Sequence, residues 1–332
     1  MKSLYGHDAA VAALRDGMDS GRLHHAWLVS GPEGVGKATF ADKAALRVLA
    51  DAAGPKSDAP GLDVPDSHMT AKLIAAGSHP DLVRLERQTK ESGTELARSI
   101  TVEQVRSLQR LFGSTPSQSP WRAVVIDSID DLERNAANAL LKNLEEPPAN
   151  SLFLLVSHSP EKLLPTIRSR CRQLRLGRLG EADMRRALRA ALPDADPDEI
   201  DEMLIVGDGS PGRAMAFRGL DIAALDKAMA EIAGKGDPTN KRRVQLAQSL
   251  ALKAAQPRYE AFLARAPSVI AAAARERRGR ALAEALALWE RAADLAGSAT
   301  RLSLDPQTVV FELAGMLANL APEETNGRSA HG

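Results

Sequence analysis

The sequence predicts an α/β fold, a parallel sheet covered by helices, followed by a region that is helical throughout. Three observations carry that prediction. Short apolar runs such as Ala26-Trp-Leu-Val-Ser30, Ala123-Val-Val-Ile126 and Leu152-Phe-Leu-Leu-Val156 alternate with stretches of helical spacing. Runs that short and that apolar suit strands buried on both faces of a parallel sheet. A glycine-rich turn, Gly31-Pro-Glu-Gly-Val-Gly-Lys-Ala-Thr39, stands between the first run and a helix. From about Leu220 onward the chain is rich in alanine and leucine at helical period, the pattern of a helical bundle. The 332 residues suffice for two or three domains with a well-buried core.

Residues 8–18 place Val11, Leu14 and Met18 at helical spacing ahead of Gly21. His24 and His25 are adjacent. A structural role is favoured over metal ligation, because neighbours on a strand face opposite sides and no ligand cluster accompanies them. Residues 51–78, broken by glycine and proline and without periodicity, predict a long exposed excursion. His79-Pro-Asp-Leu-Val-Arg-Leu85 returns to strand character, and Thr101 caps a helix carrying Val105, Leu108 and Leu111. After the strand that ends at Asp127, a helix with Ala136, Ala137, Leu140, Leu141 and Leu144 on one face stops at Glu145-Glu-Pro-Pro148, as the prolines require. Asp130 and Asp131 read more simply as caps of that helix than as catalytic acids. The next strand ends in Ser157-His158-Ser159. Arg168, Arg170 and Arg172 then follow at alternate positions, for which a solvated face is the plain reading.

Residues 181–192 and 198–206 are helical, as are 244–254, 259–263, 281–295 and 308–320. The basic stretch Arg275-Glu-Arg-Arg-Gly-Arg280 reads as a solvated helix end in preference to a contact with DNA phosphate. The polar residues from Pro322 onward read as a disordered tail.

The glycine-rich turn carries the chemistry. A turn of this kind between a strand and a helix cradles phosphate with backbone N–H groups at the positive end of the helix dipole. Gly31, Gly34, Val35, Gly36, Lys37, Ala38 and Thr39 are the candidate nucleotide-binding residues. The P-loop pattern asks for Ser or Thr after the lysine, and here stands Ala38. The hydroxyl that coordinates Mg²⁺ is therefore missing, and Thr39 lies about 100° further round the helix. Asp127, at the carboxyl end of its strand, is placed as a Walker B aspartate, a Mg²⁺ ligand if nucleotide binds. Ser128 stands where a hydrolytic motor keeps a glutamate, and serine is a poor general base. The site reads as able to hold ATP or ADP with Mg²⁺ and poor at hydrolysing it. An ordinary glycine-rich turn is the competing structural reading.

Composition narrows the classes. Lys and Arg total 43, equal to Asp and Glu, so no global basic field advertises nucleic acid. One cysteine, Cys171, excludes an internal disulfide and a cysteine-rich zinc site, and reads as a buried thiol in a reducing compartment. No apolar stretch approaches the roughly 20 residues that span a bilayer, and the N-terminus has no signal-peptide core. The expectation is a soluble cytoplasmic protein without a membrane partner.

Leu23-His-His-Ala-Trp27, the glycine-rich cradle, Asn138-Ala-Leu-Leu-Lys-Asn-Leu-Glu-Glu-Pro-Pro148 and Ser169-Arg-Cys171 occur in that order. Together they resemble the AAA+ clamp-loader subunits of bacterial DNA polymerase III, over roughly residues 1 to 215. The resemblance implies an AAA+ P-loop domain at 1–176, a small helical lid domain at 177–219, an all-helical collar at 220–321 for oligomerisation, and the tail at 322–332. It implies that Arg170 is a finger reaching the nucleotide of a neighbouring subunit, work that suits a planar guanidinium. Ala38 and Ser128 depart from the gamma or tau motor pattern and are similar to the delta prime type, which donates a finger while doing little chemistry itself. Gly209-Ser-Pro-Gly-Arg-Ala214 resembles the same type. The sensor-2 arginine of the motors falls at Gly212, with Arg213 one place late. Family members often carry a cysteine-ligated zinc knob after the first helix; residues 51–78 hold no cysteine, so no zinc is expected. The implied partners are the gamma/tau and delta subunits in a hetero-oligomer and, through the complex, the sliding clamp and primed DNA.

Two other readings compete. One is a working P-loop ATPase of gamma/tau type in which Thr39 and Asp130 take over the missing duties. The other is a P-loop small-molecule kinase, which leaves the 138–148 and 169–171 stretches without a purpose.

Overall fold

The computed structural model describes residues 3–89, 93, 96–302 and 304–321; the expected tail at 322–332 lies outside them. The chain divides into two compact units, Met1–Ala216 and Phe217–Gly332.

The first unit begins with α1 (Asp8–Asp19), β1 (Ala26–Ser30), α2 (Lys37–Ala53) and α3 (Met69–Ala75). β2 (Leu82–Glu86), α4 (Val102–Arg106), α5 (Leu108–Gly113) and β3 (Arg122–Asp127) follow. Then come α6 (Arg134–Glu145), β4 (Ser151–Ser157), α7 (Pro165–Arg168) and β5 (Arg172–Arg175). The five strands are all parallel, in the order β2-β3-β4-β1-β5. Register aligns their carboxyl ends: Ser30 lies opposite Ser157, and Asp127 opposite Val156.

Alternate residues of the inner strands feed two cores. Trp27, Val29, Ala123, Val125, Leu152, Leu154 and Val156 pack under α1 and α2, with Leu14, Phe40, Ala44 and Leu49 facing them. Ala26, Leu28, Val124, Ile126, Phe153 and Leu155 pack under the other layer, against Leu108, Ala136, Leu140, Leu144 and Ile167. The inner strands β1 and β4 are buried along their whole length, whereas β2 and β5 at the edges bury one residue each. That difference is why the inner strands read as continuous apolar runs and the edges do not.

Two local expectations are corrected. Residues 51–78 are not irregular throughout: α2 runs on to Ala53 and Met69–Ala75 is helical, while the loop 54–68 between them is largely exposed, with Leu62 buried in it. The connecting loop folds around the buried guanidinium of Arg47, which donates to Ala59 O and Asp63 O at 2.8 Å each, to Ser57 O, and to Asp51 Oδ2 at 2.9 Å. Those backbone acceptors carry no trace in a hydrophobicity pattern. The single helix expected after Thr101 is two, α4 and α5, meeting at Ser107, whose hydroxyl donates to Gln104 O at 2.7 Å. Thr101 does cap α4, in a reciprocal capping box with Gln104.

The unit closes with α8 (Glu181–Ala191), α9 (Pro197–Gly207) and α10 (Pro211–Ala216). They share a small core of Met184, Leu188, Ile200, Met203 and Ala214.

The second unit is helical: α11 (Ile222–Lys235), α12 (Lys241–Leu250), α13 (Gln256–Arg275), α14 (Gly279–Arg301) and α15 (Pro306–Ala318). The last is its centre, capped by Asp305 and packed on the other four through Val309, Val310, Leu313, Ala314 and Leu317. Among the described residues no helix is long and apolar enough to cross a membrane.

Candidate nucleotide cradle and surface arginine

The carboxyl ends of β1, β3 and β4 bring the cradle, Asp127 and His158 to one edge of the sheet. The cradle leaves β1 at Gly31 and enters α2 with Gly36 as N-cap, φ 105°, and no acidic side chain in the first turn. Its helix dipole is therefore uncompensated and suited to an anion. Val35 is buried, and its carbonyl lies 2.8 Å from His7 Nε2. Ala38 offers no side-chain oxygen.

Lys37 does not stand free. Its ammonium donates to Gly31 O and Pro32 O at 2.7 Å each and lies 3.0 Å from His158 Nδ1, which uses all three of its N–H groups. Burial lowers its pKa, opposed by the charges of Glu33, Asp130 and Asp127. A phosphate can take this lysine only by displacing protein acceptors.

Asp127 is likewise engaged. Arg84 on β2 places Nη2 2.7 Å from Asp127 Oδ2 and Nε 2.9 Å from Glu86, and it also pairs with Asp42. Burial opposes the charged form of Arg84, but these carboxylates outweigh it and raise its pKa. Asp42 is raised, chiefly by burial. A guanidinium thus occupies the carboxylate that Mg²⁺ would use, and no hydroxyl follows Lys37. The residues present do not fit a bound Mg²⁺. Among the described residues no group of three or more His, Cys, Asp or Glu is placed to hold a metal ion.

Asp130 and Asp131 cap nothing in α6, whose N-cap is Glu133; both lie in the 3-10 turn Ile129–Asp131. Asp130 instead ties the ends of β3 and β4 together. It accepts from Ser128 Oγ at 2.7 Å, Ser157 Oγ at 2.9 Å, His158 N at 2.7 Å and Ser159 N at 3.2 Å. Burial pushes its pKa up, but these donors outweigh it and hold the carboxyl below its ordinary value. The long-range partners explain why a local capping reading failed. The imidazoles of His24 and His25 do not face apart either: they stack with centroids 4.5 Å apart, because both precede β1.

The cradle is also covered by backbone from the α10 turn. Ser210 Oγ donates to Glu33 O at 2.8 Å, and Gly212 N to Gly34 O at 2.9 Å. Gly34 has φ 75°, and a Cβ there would lie 2.4 Å from Ser210 Oγ; a Cβ on Gly212 would lie 2.7 Å from Gly34 Cα. Only glycine permits that approach.

Arg170 lies elsewhere. It sits two residues before β5, whose Arg172 pairs with Trp27 near the start of β1, so it leaves the sheet at the amino ends of the strands. The cradle is at the carboxyl ends, roughly 15 Å away along β1 at about 3.3 Å per residue. The Arg170 side chain is one-third exposed and forms an ion pair with Glu145 at 2.8 Å while donating to Thr166 O at 2.9 Å. Of its neighbours, Arg172 stacks over Trp27 at 4.8 Å. The buried Cys171 thiol is pushed up to about 12 by burial.

Sequence reasoning missed Arg84, His158 as a partner of Lys37, Glu145, and the Ser210–Gly212 cover. Arg84 left a signal as a lone charge inside a strand pattern, and Glu145, Ser210 and Gly212 lie in stretches singled out by resemblance without these contacts being read from them.

A profile of the family described as DNA polymerase III, delta subunit, matches residues 6–180. The delta' subunit of DNA polymerase III from Pseudomonas aeruginosa is 36% identical over 198 residues, covering 59% of this chain and 56% of that protein. The gamma subunit from Buchnera aphidicola subsp. Schizaphis graminum is 32% identical over 212 residues, covering 64% and 54%. The chain spans about half the length of these curated relatives. A solved DNA polymerase III gamma subunit-related protein from Thermotoga maritima overlaps 93% of this chain and 99% of its own, at 14% identity and a TM-score of 0.43. With more than half its length matched by that profile, the chain belongs to the DNA polymerase III delta subunit family.

Proposed function

We propose that the chain is a delta prime-like subunit of the clamp loader of DNA polymerase III. In this reading it takes part in placing the sliding clamp on primed DNA and hydrolyses little nucleotide itself. Its contribution to hydrolysis is Arg170, offered to the nucleotide of a neighbouring gamma/tau subunit. The division into an AAA+ domain (1–176), a lid (177–219) and an oligomerising collar (220–321) belongs to the same proposal, as does a hetero-oligomer with gamma/tau and delta.

The observation that carries it is the separation of Arg170 from the chain's own cradle by the length of the sheet. An arginine there cannot serve its own phosphate site, and its partial exposure leaves it open to a neighbour. The engaged Lys37, the Arg84–Asp127 pair and the absent hydroxyl support weak nucleotide binding that is indifferent to Mg²⁺. The gamma/tau-like motor reading needs Asp130 to orient water or metal, yet its oxygens already accept four hydrogen bonds.

Nucleotide binding and turnover by the purified chain, with and without Mg²⁺, test the proposal. Weak, Mg²⁺-indifferent ATP binding without turnover is expected. Steady turnover that Lys37→Ala abolishes would establish the motor reading instead.

A further inference from the structure

We infer that Glu145 is a positioning residue for Arg170, holding its guanidinium ready for the neighbouring subunit's nucleotide. The inference rests on the proposed role of Arg170 and goes beyond it. The guanidinium is fixed at both ends of its fork: Nη2 lies 2.8 Å from Glu145 Oε1, and Nη1 donates to Thr166 O at 2.9 Å. The two anchors come from different elements. Glu145 is the last residue of α6, and Thr166 lies in α7. Among the described residues no other acceptor engages the group. Of five guanidinium N–H donors, two nitrogens are engaged, and the remaining donors are free for an incoming phosphate.

Glu145 is badly placed for stability alone. It ends a helix whose last carbonyls already carry negative charge, beside a second acid at the cap, Glu146; cations are what stabilise that end of a helix. With nearly half its side chain exposed, the ion pair is of the kind that adds little to folding. What it does supply is orientation. A free arginine samples many rotamers and loses that freedom on docking, whereas a pre-set planar fork loses less for each hydrogen bond formed. A group held in place before the transition state forms raises the rate without tightening ground-state binding.

The test is ATP hydrolysis by the reconstituted loader carrying Glu145→Ala, Glu145→Gln, Arg170→Ala and the Glu145→Ala/Arg170→Ala pair. Glu145→Ala is expected to lower kcat on the order of tenfold with KM unchanged. Glu145→Gln keeps an oxygen acceptor and is expected to lower kcat about threefold, a partial rescue. Glu145→Ala should not lower the rate further once Arg170 is alanine. A wild-type kcat in Glu145→Ala, a rise in kcat, a loss confined to KM, or a loss that persists in the Arg170→Ala background would overturn the inference. Should Glu145→Ala fail to fold, Glu145→Gln is read by the same criteria. If Arg170→Ala itself runs at the wild-type rate, the role of Arg170 fails; if it alone is slow, only the role of Glu145 does.

Discussion

Replacing Asp130 with alanine removes the acceptor at which the ends of β3 and β4 meet. Ser128 and Ser157, two of its four donors, are buried, while His158 is exposed. Water can therefore take the place of the carboxylate at the backbone of residue 158, but not at the two hydroxyls. At about 1.5–3 kcal/mol for each hydrogen bond to a charged group, the buried pair sets a loss of about 3–5 kcal/mol once reorientation of the hydroxyls is allowed for. In a unit of this size that lowers the thermal midpoint by about 6–20 °C. Calorimetry of the purified chain reads the shift directly. A midpoint within about 2 °C of wild type, together with loss of Mg²⁺-dependent nucleotide turnover, would refute the reasoning and make Asp130 an acid of a working site.

Three further outcomes are expected. The carboxyls of Asp81 and Asp130 both have lowered pKa values: burial opposes this, but backbone donors outweigh it at Asp81, and backbone and hydroxyl donors do so at Asp130. The unfolded chain then binds protons more readily at these groups. Their contribution is full above the ordinary carboxylate pKa of about 3.9 and is lost as pH falls through the lower folded values. Asp42 and Asp131, raised chiefly by burial, oppose that slope, so the test is the Asp81→Asn variant, whose thermal midpoint should fall less steeply with acid than wild type. Arg47→Met leaves three loop carbonyls and Asp51 short of a donor, a loss of about 3–5 kcal/mol for a buried pair broken on one side. Limited proteolysis should then cut first within 54–66, and an unchanged cleavage pattern would deny the guanidinium its role. Cys171, with its thiol pushed up to about 12, should resist alkylation at pH 8 until denaturant is added; rapid labelling of the native chain would contradict the packing of α7 on the sheet.

What the sequence made legible follows from period and from glycine. The inner strands and the cradle were readable because β1, β3 and β4 are buried on both faces and the turn needs glycine at Gly34 and Gly36. The break at Ser107 and the folded loop after α2 were not, since a serine hydroxyl and the backbone acceptors of Arg47 leave no apolar pattern. The electrostatics of the cradle were hidden for a different reason. Lys37 meets His158 across 121 positions, and Arg84 meets Asp127 across 43, contacts set only when the sheet assembles. Asp130 misled because a short acidic side chain before a helix suits a cap, while three of its four donors come from the end of β4 and the two residues after it. Arg170 could be named from its motif, but its place at the amino ends of the strands became visible only with β5 paired to β1.

In the proposed role, this chain's guanidinium acts on another subunit's nucleotide while its own cradle stays chemically idle. Comparing Arg170→Ala with Lys37→Ala in the reconstituted loader, by DNA-stimulated ATP hydrolysis, tests it most directly. Arg170→Ala is expected to slow hydrolysis by about 10³-fold or more, as loss of an arginine finger does, while Lys37→Ala leaves the rate near wild type. The reverse order, with Lys37→Ala crippling and Arg170→Ala mild, would contradict it.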